Sequence, residues 1–500
     1  MMKDIPVMKS WSSIGNLSKS EIRDLQSRKL KKLIGEHIYP FSPFYRELFI
    51  KNKINPSQIC SVDDLKRIPL TSKVDVIGTD PYGERFRDFI LQPRKETLRS
   101  VLPKTALFTL AIKSLWYGRD YVVSKLKDQY QPIFMTFTTG TTNRPVPFVY
   151  SRYDIENLYL SGLRMMELFG MKDSDRAVNF FPYAPHLAFW QVVFGGLSAR
   201  ALILSTGGGK VMNSEASAGA LLKMRPSVIF GVPGFIYHLL RVAKDKNTDL
   251  SYVQKVVLGA ARVTDPYKIR LKNLLASLGA KDVSIFGTYG FTEARSAWVE
   301  CPSPEGTSSG YHLYPDKEIF EIVDPQTGAS KKEGEDGELV YTAIDARGSM
   351  VLRYRTGDFI TGGITYCPCP YCGLTTPRIS SDITRLSDVK DLNLSKIKGT
   401  LVNLSHFAAV LSEFDDIIEW QIELRKKDND PFEVDEVILV LSVREGANKE
   451  KLSEDLKRRI LTVTEIAPNE MIFLPLEELV RRLELETASK EKRIIDKRPK

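Results

Sequence analysis

The spacing of apolar and polar residues changes several times along this chain. From about 15 to 80, apolar positions recur at helical spacing, as in IRDLQSRKLKKLIGEHI, ahead of the turn-rich SPFYRELF; this predicts a helical opening segment. Residues 84–132 hold few glycines and much mixed charge, and read as a further helical elaboration. From 133 onward short apolar runs (PIFMTF, AVNFFP, ALILST, SVIFGV, VVLGA, VSIFGTYG) alternate with helical stretches. Runs of that length, apolar throughout, are expected of strands covered on both faces and joined by crossover helices. Between 310 and 360 the pattern turns β-rich, with YHLYPDKEIFEIVDPQTG, GELVYTAI and MVLRYRTGDFITGG each bounded by turn residues. After about 385 a smaller α+β unit is expected from the strand-like EVILVLSV and the charged helix KEKLSEDLKRRILTV. The expected fold class is therefore α/β: a large multi-subdomain N-terminal domain over 1–386, with mainly parallel sheets and a β-rich subdomain, and a small C-terminal domain over 387–500. The stretch at about 84–132 reads as an insertion in the first.

Composition narrows the class without choosing a chemistry. Five hundred residues exceed what one compact core accommodates, and 43% hydrophobic with 27% charged residues is ordinary for a soluble enzyme. No segment approaches the roughly 20 apolar residues of a membrane span. The opening MMKDIPVMKSWSSIGNLSKSE has no apolar signal core, so a cytoplasmic protein without a membrane partner is expected. A net charge of +9 and a pI near 9.0 invite a nucleic-acid reading. The positive residues are scattered, however, and concentrate only in KEKRIIDKRPK. With no zinc-finger C…H pattern and no RNA-binding aromatic signature, the expectation is a solvated basic surface and no nucleic-acid partner. Phosphorylated ligands or an acidic carrier protein would benefit from it.

The most informative segment is Met135-Thr136-Phe137-Thr138-Thr139-Gly140-Thr141-Thr142-Asn143-Arg144-Pro145. Four hydroxyls and a glycine stand between Thr138 and Thr142, and Arg144 follows. Glycine lets backbone amides approach a polyanion, hydroxyls donate to phosphate oxygens, and the guanidinium offsets their charge. The segment reads as a phosphate cradle, although it lacks the G-x-x-x-x-G-K-[ST] of P-loop NTPases. Two later segments have nucleotide character. Phe286-Gly287-Thr288-Tyr289-Gly290-Phe291-Thr292-Glu293 offers an aromatic for a base and a hard carboxylate oxygen for Mg²⁺; a turn capped by Thr292 is the alternative. In Tyr354-Arg355-Thr356-Gly357-Asp358 the carboxylate can accept both hydroxyls of a ribose, or cap a turn.

In this order and spacing, TTGTTNRP, TYGFTEA, YRTGD and a late lysine, the chain resembles the adenylate-forming superfamily of acyl-CoA ligases and adenylation domains, with the phenylacetate–CoA ligase type the nearest likeness. The early Ser42-Pro43-Phe44-Tyr45-Arg46, Ile68-Pro69-Leu70-Thr71-Ser72-Lys73 and Asp80-Pro81-Tyr82-Gly83 are similar to that type's SxFYRxxF, LPxTxK and YPFG. The resemblance implies that Thr138, Thr139, Gly140, Thr141, Thr142 and Arg144 grip the β- and γ-phosphates of ATP. It implies that Gly259, Ala260 and Ala261 line the adenine, although relatives more often read Gly-Ala-Glu-Pro there. Tyr289 with Gly290 resembles the adenine-side aromatic segment, Thr292 a phosphate contact, Glu293 the Mg²⁺ ligand and Asp358 the ribose aspartate. Arg385 is the best match for a nucleotide-contacting arginine, with Arg378 the alternative. Asp388 is the candidate hinge of a small, mobile C-terminal lid. The tail Lys490-Glu491-Lys492-Arg493-Ile494-Ile495-Asp496 resembles the pattern GKAxRVxD, which makes Lys490 the catalytic lysine and Lys492 the runner-up.

Cysteine usage adds a separate element. Cys367-Pro368-Cys369-Pro370-Tyr371-Cys372-Gly373 contains a C-x-x-C-G knuckle suited to tetrahedral Zn²⁺. Cys301, His312, Cys369 and Cys372 are the expected ligands of a structural site, with Cys367 able to substitute. Tyr183, His186, Phe189, Phe235 and Gly287 are candidates for the acid pocket, and their aromatic character suggests an aryl or other apolar acid. The expected activity is ATP- and Mg²⁺-dependent acyl-adenylate formation followed by transfer to a thiol, most simply coenzyme A. A carrier protein or an amine as acceptor and a non-catalytic nucleotide-binding homologue are the alternatives. Oligomeric state stays open, a homodimer being one option.

Overall fold

The computed structural model describes residues 8–78, 84–93, 102, 104–138, 145–208, 211–303, 307–386, 404–426, 435–464, 467–484 and 491–498. The opening segment is helical, as its periodicity predicts. Lys19–Leu33 begins at Ser18, whose side chain accepts from the Glu21 amide in a capping box; Pro43–Lys51 follows a capping Ser42. Residues 104–130 form two helices, Lys104–Tyr117 and Arg119–Tyr130, broken at Gly118 (φ +84°). Phe89 and Tyr130 tie the 84–132 stretch to the main core, while Leu115, Trp116 and Tyr117 stay exposed.

One expectation is corrected at the first strand. PIFMTF yields β1 (Phe134–Phe137), which pairs antiparallel with β2 (Pro147–Tyr150) in a two-stranded ribbon apart from the parallel sheet. Met135 is exposed and Thr136 buried, the alternation of a ribbon covered on one face rather than two. The remaining runs behave as predicted. They form β3 (Arg176–Asn179), β4 (Leu202–Ser205), β5 (Val228–Gly231), β6 (Lys255–Leu258) and β7 (Ser284–Phe291), parallel in the order β4-β3-β5-β6-β7, with β8 (Ser296–Val299) added antiparallel. Helices Leu187–Ala199, Ser214–Met224, Pro233–Asp245 and Asp265–Ser277 make the crossovers. The chain leaves β3 outward to β4, while β5 to β7 add on the other side. Such a reversal opens a crevice at the C-terminal ends of the strands.

The β-rich part contains β9 (Tyr311–His312), β10 (Glu318–Val323), β11 (Gly337–Ala343), β12 (Tyr354–Ile360), β13 (Ile364–Thr365), β14 (Arg378–Ile379) and β15 (Ile383–Arg385). These make an antiparallel sheet β10-β11-β12-β15 and a small sheet β13-β14-β9. One hydrophobic core runs through all of these parts, from Trp11 to Ile379. The C-terminal part builds a second sheet, in the order β18 (Glu470–Phe473), β17 (Asp435–Val443), β16 (Ile417–Lys426), β19 (Ile494–Asp496). Its own core includes Phe407, Leu411, Leu439, Leu441, Leu456 and Ile460. Among the described residues no helix is long and apolar enough to cross a membrane.

Candidate active site

Strand register sets the site's floor. Gly231 of β5 lies beside Leu258 of β6, and Leu258 beside Gly287 of β7. The segments after these positions therefore leave one edge of the sheet together. Gly259 donates to the Gly231 carbonyl at 3.2 Å. A side chain on Gly259 would run into the Thr288 hydroxyl and come 3.3 Å from the ring edge of Phe181, so the backbone there is bare. Ala260 follows with φ +67°, a left-handed conformation that costs an L-residue free energy. Gly290 packs under Ala297 of β8.

Above this floor the nucleotide-like segments converge. Tyr289 Oη donates to Asp358 Oδ2 at 2.7 Å, and Arg385 Nε lies 3.1 Å from Asp358 Oδ1. Arg385 also donates to the Thr356 carbonyl at 2.8 Å. Next to this trio, Tyr354 Oη donates to Glu293 Oε1 at 2.8 Å. Burial, reinforced by the neighbouring carboxylates, raises both phenols well above their ordinary pKa, so Tyr289 and Tyr354 stay protonated donors. Lys73 also belongs here. Burial lowers its pKa, Glu293 opposes that shift and Arg385 adds to it. Thr292 donates to the Phe137 carbonyl at 3.3 Å, and His186 Nδ1 lies 3.0 Å from the same oxygen.

Phe137 leads into the threonine-rich loop, so that loop starts one residue from the Glu293 carboxylate's own neighbour, Thr292. Thr138 is buried, donates its amide to the Val146 carbonyl at 3.0 Å and accepts from the Val146 amide at 2.9 Å through its hydroxyl. These two bonds close the loop at its base. Thr139, Gly140, Thr141, Thr142 and Arg144 lie outside the described residues, as do Asp388 and Lys490.

Of the acid-pocket candidates, Tyr183 is exposed and sits edge-on to Phe189 at 5.3 Å, while the buried Phe235 contacts Phe180 at 6.1 Å. The aromatics thus divide into two groups. Gly287 donates to Glu300 Oε2 at 2.8 Å, an oxygen that Lys268 also meets at 2.7 Å; the buried Glu300 Oε1 has no hydrogen-bond partner among the described residues.

The cysteine knuckle forms a distinct cluster. One ligand atom from each of Cys301, His312, Cys369 and Cys372 lies within 4.8 Å of the other three. Cys301 Sγ is 3.4 Å from Cys369 Sγ, and Cys372 Sγ is 3.6 Å from His312 Nε2. The amides of Gly373 and Cys369 close a tight turn, Gly373 donating to Cys369 O at 3.0 Å. Cys367 is exposed and outside the cluster. Arg378 belongs to this knuckle rather than to the nucleotide-like group: it donates to Ser309 O at 2.5 Å and to Cys367 O at 3.1 Å.

Sequence reasoning did not assign Tyr354 or Lys73 a role. A signal for Tyr354 was present, because it precedes Asp358 by four positions in one strand. Lys73 had only its place in the LPxTxK-like element.

A sheet edge with bare backbone, a carboxylate–tyrosine–arginine trio and a threonine loop is the setting of a nucleotide-binding enzyme. The AMP-binding enzyme family matches residues 87–348, and the chain belongs to that family of adenylate-forming enzymes. It is similar to the phenylacetate–coenzyme A ligase of Thermus thermophilus, 25% identical over 451 residues that cover 89% of this chain and 86% of the relative. It is also similar to the phenylacetate–coenzyme A ligase of Aromatoleum evansii, 22% identical over 507 residues and 97% of each chain. The fold matches that of 2-hydroxyisobutyryl-CoA ligase, solved with an acyl-adenylate, at a TM-score of 0.76 with 19% identity, covering 97% of this chain and 91% of that one.

Proposed function

We propose that this protein is an AMP-forming acid–coenzyme A ligase of the phenylacetate–CoA ligase type, acting on an aryl or other apolar acid. The observation that carries the reading is the Tyr289–Asp358–Arg385 group beside Glu293 at the strand ends. A carboxylate has about four acceptor sites. Tyr289 and Arg385 fix the orientation of the Asp358 carboxylate, one at each oxygen, and a carboxylate held that way suits the vicinal hydroxyls of a ribose. Glu293 is held by Tyr354 through one oxygen, so its remaining hard oxygen suits Mg²⁺, which binds one or two carboxylates plus substrate phosphates. Mg²⁺ supplies charge neutralisation on the phosphates.

In the first step a carboxylate oxygen of the acid attacks the α-phosphorus of ATP; the bond to the β-phosphate oxygen breaks and pyrophosphate leaves. In the second a thiol attacks the acyl carbon and AMP leaves. Positioning and charge stabilisation supply most of the rate in such transfers. Thr138 to Thr142 and Arg144 hold the β- and γ-phosphates, Arg385 and Lys490 face the developing charge, and the 387–500 part acts as a lid turning near Asp388. Three thiols and an imidazole within a tetrahedral span suit structural Zn²⁺, with no ligand position left for chemistry. Free thiols throughout suit a reducing, cytoplasmic setting.

The test is pyrophosphate release from ATP with a panel of acids, trapping the adenylate with hydroxylamine, followed by addition of coenzyme A or a carrier protein. Acid-dependent pyrophosphate and acyl-CoA are expected. No acid-dependent pyrophosphate with any acid would sink the reading, and acylation of the carrier alone would replace the acceptor.

A further inference from the structure

The C-terminal segment 491–498 is fixed to the small sheet. β19 runs parallel to β16, Ile422 donates to Arg493 O at 2.8 Å, and Gln421 donates to Lys492 O at 2.7 Å. Its first residue reaches out of that sheet. The Glu491 carboxylate lies against the backbone of Gly234, where an added methyl would fall on Glu491 Oε2, near the start of the helix Pro233–Asp245. That helix has no side-chain cap of its own, since Val232 stands at its N-cap. Helix N-termini carry unpaired amides and partial positive charge, and a carboxylate satisfies both. Glu491 therefore caps, from the small sheet's side, a helix of the large sheet.

The contact is built on both sides. Arg493 donates from Nε to Glu491 at 2.8 Å and from Nη1 to Glu419 at 2.8 Å, and its guanidinium lies 4.7 Å from the Trp420 ring centre. The Glu491 side chain is only 10% exposed. On the other side, Tyr267 Oη donates to Pro233 O at 2.5 Å. A methyl on Gly234 would run into the Glu491 carboxylate and approach Arg493 Nη2 to 2.9 Å, so the glycine is what lets the two parts close. The pattern GKAxRVxD has alanine where this chain has Glu491.

Glu491 is one residue after Lys490, and Gly234 is three residues after Gly231, whose carbonyl receives Gly259 at the floor of the site. We propose that Glu491 is a positioning residue: a latch that seats the small domain on the helix Pro233–Asp245 and thereby delivers Lys490 for adenylation. The latch must open before a thiol reaches the adenylate. The inference rests on the proposed ligase activity, but the contact itself can be tested without turnover.

Hydrogen exchange of the full chain reads the contact. Glu491→Ala is expected to lose protection of the Gly234 amide, and Gly234→Ala is expected to lose protection at residues 491–493. Unchanged protection in both would overturn the latch. Half-reactions read its role. Each variant is expected to slow acid-dependent pyrophosphate release roughly 10- to 100-fold, the scale of a misplaced catalytic group, and to convert a supplied acyl-adenylate and coenzyme A at the wild-type rate. Lost protection with both half-reactions intact, or equally slowed, would overturn the positioning role. Wild-type protein that makes no adenylate would defeat the activity and leave the exchange result standing.

Discussion

Tyr289 and Asp358, 69 residues apart in the chain, meet across 2.7 Å where the parallel sheet abuts the antiparallel one. Neither sheet holds a complete site. β7 brings the phenol, β12 the carboxylate and β15 the arginine, and the hydrogen bond and ion pair join the three. The same seam brings Tyr354 to Glu293. A nucleotide seated at the seam would touch elements from both sheets at once.

This arrangement makes a graded prediction for ATP. Asp358→Ala removes the proposed ribose acceptor and should raise the KM for ATP about ten- to a hundredfold, since a hydrogen bond to a charged group contributes about 1.5–3 kcal/mol. Tyr289→Phe leaves the carboxylate in place and should have a smaller effect. Steady-state pyrophosphate release at varied ATP separates them. An equal effect of the two variants would mean that Asp358 acts only through Tyr289.

The cysteine cluster predicts metal content. Protein prepared without chelator should carry about one Zn²⁺ per chain, the stoichiometry of a closed four-ligand site. Cys372→Ser should lower that content and the melting temperature without abolishing adenylation, while Cys367→Ser should leave the metal in place. Metal analysis together with thermal unfolding checks both. Zinc retained in Cys372→Ser and lost in Cys367→Ser would reassign the ligands.

Acid should weaken the fold through two buried groups. Burial first, then Arg347 and Lys32, depress His37 to about 3. Burial alone would raise Asp345, but Lys317 at 2.9 Å and Lys29 at 3.1 Å, with the Tyr153 hydroxyl, outweigh it and hold the carboxyl at about 2. Both folded values lie below the unfolded ones. The stability each group contributes is thus complete above its unfolded pKa, near 6.5 for His37 and 3.8 for Asp345, and falls as pH drops toward the folded value. Melting temperature should decline from about pH 6.5 downward. His37→Gln should flatten the decline above pH 4, and Asp345→Asn should cost about 2 kcal/mol at neutral pH while flattening the limb below pH 4. A wild-type melting temperature constant from pH 7 to 4 would contradict the His37 assignment.

Much of this architecture is written locally. AVNFFP, SVIFGV and VVLGA are largely apolar because both faces of the parallel sheet are covered there, and that is visible without a structure; ALILST reads the same way but forms the edge strand β4, where Leu202 is exposed. PIFMTF has the same look, yet it folds into an antiparallel ribbon, because four residues are too few to show that Met135 alternates outward. The knuckle Cys369-x-x-Cys372 is legible in its spacing, and the His312 contribution follows once β9 pairs with β14. The choice between Arg378 and Arg385 is not legible locally. Each is followed by an apolar residue and a serine (Ile379-Ser380 and Leu386-Ser387), and their partners tell them apart: backbone carbonyls for Arg378, Asp358 for Arg385. The Glu293–Tyr354 bond spans 61 residues and two sheets, and no periodicity reports it.

The choice between two tail lysines gives the last prediction. Lys492 Nζ is paired with Glu484 Oε1 at 2.5 Å on the surface of the small sheet's helix Leu476–Leu483, and its carbonyl is held by Gln421. A lysine anchored in that way serves its own domain. Lys490 stands two residues earlier, and a cation delivered to the α-phosphate in a water-poor site stabilises developing charge more in the transition state than in the ground state. Lys490→Ala should therefore slow acid-dependent pyrophosphate release at least about 100-fold, the scale of losing one preorganised donor. It should spare thioester formation from a supplied acyl-adenylate, because in the proposed cycle that step follows a turn of the lid that withdraws the lysine. Lys492→Ala should slow neither half-reaction and only trim stability slightly, as expected of an exposed ion pair. Rapid-quench measurement of each half-reaction in both variants decides the matter. A defect in Lys492→Ala with Lys490→Ala active would move the catalytic charge two residues along, and an equal loss of both half-reactions in Lys490→Ala would rule out a lysine that acts only while the lid is closed.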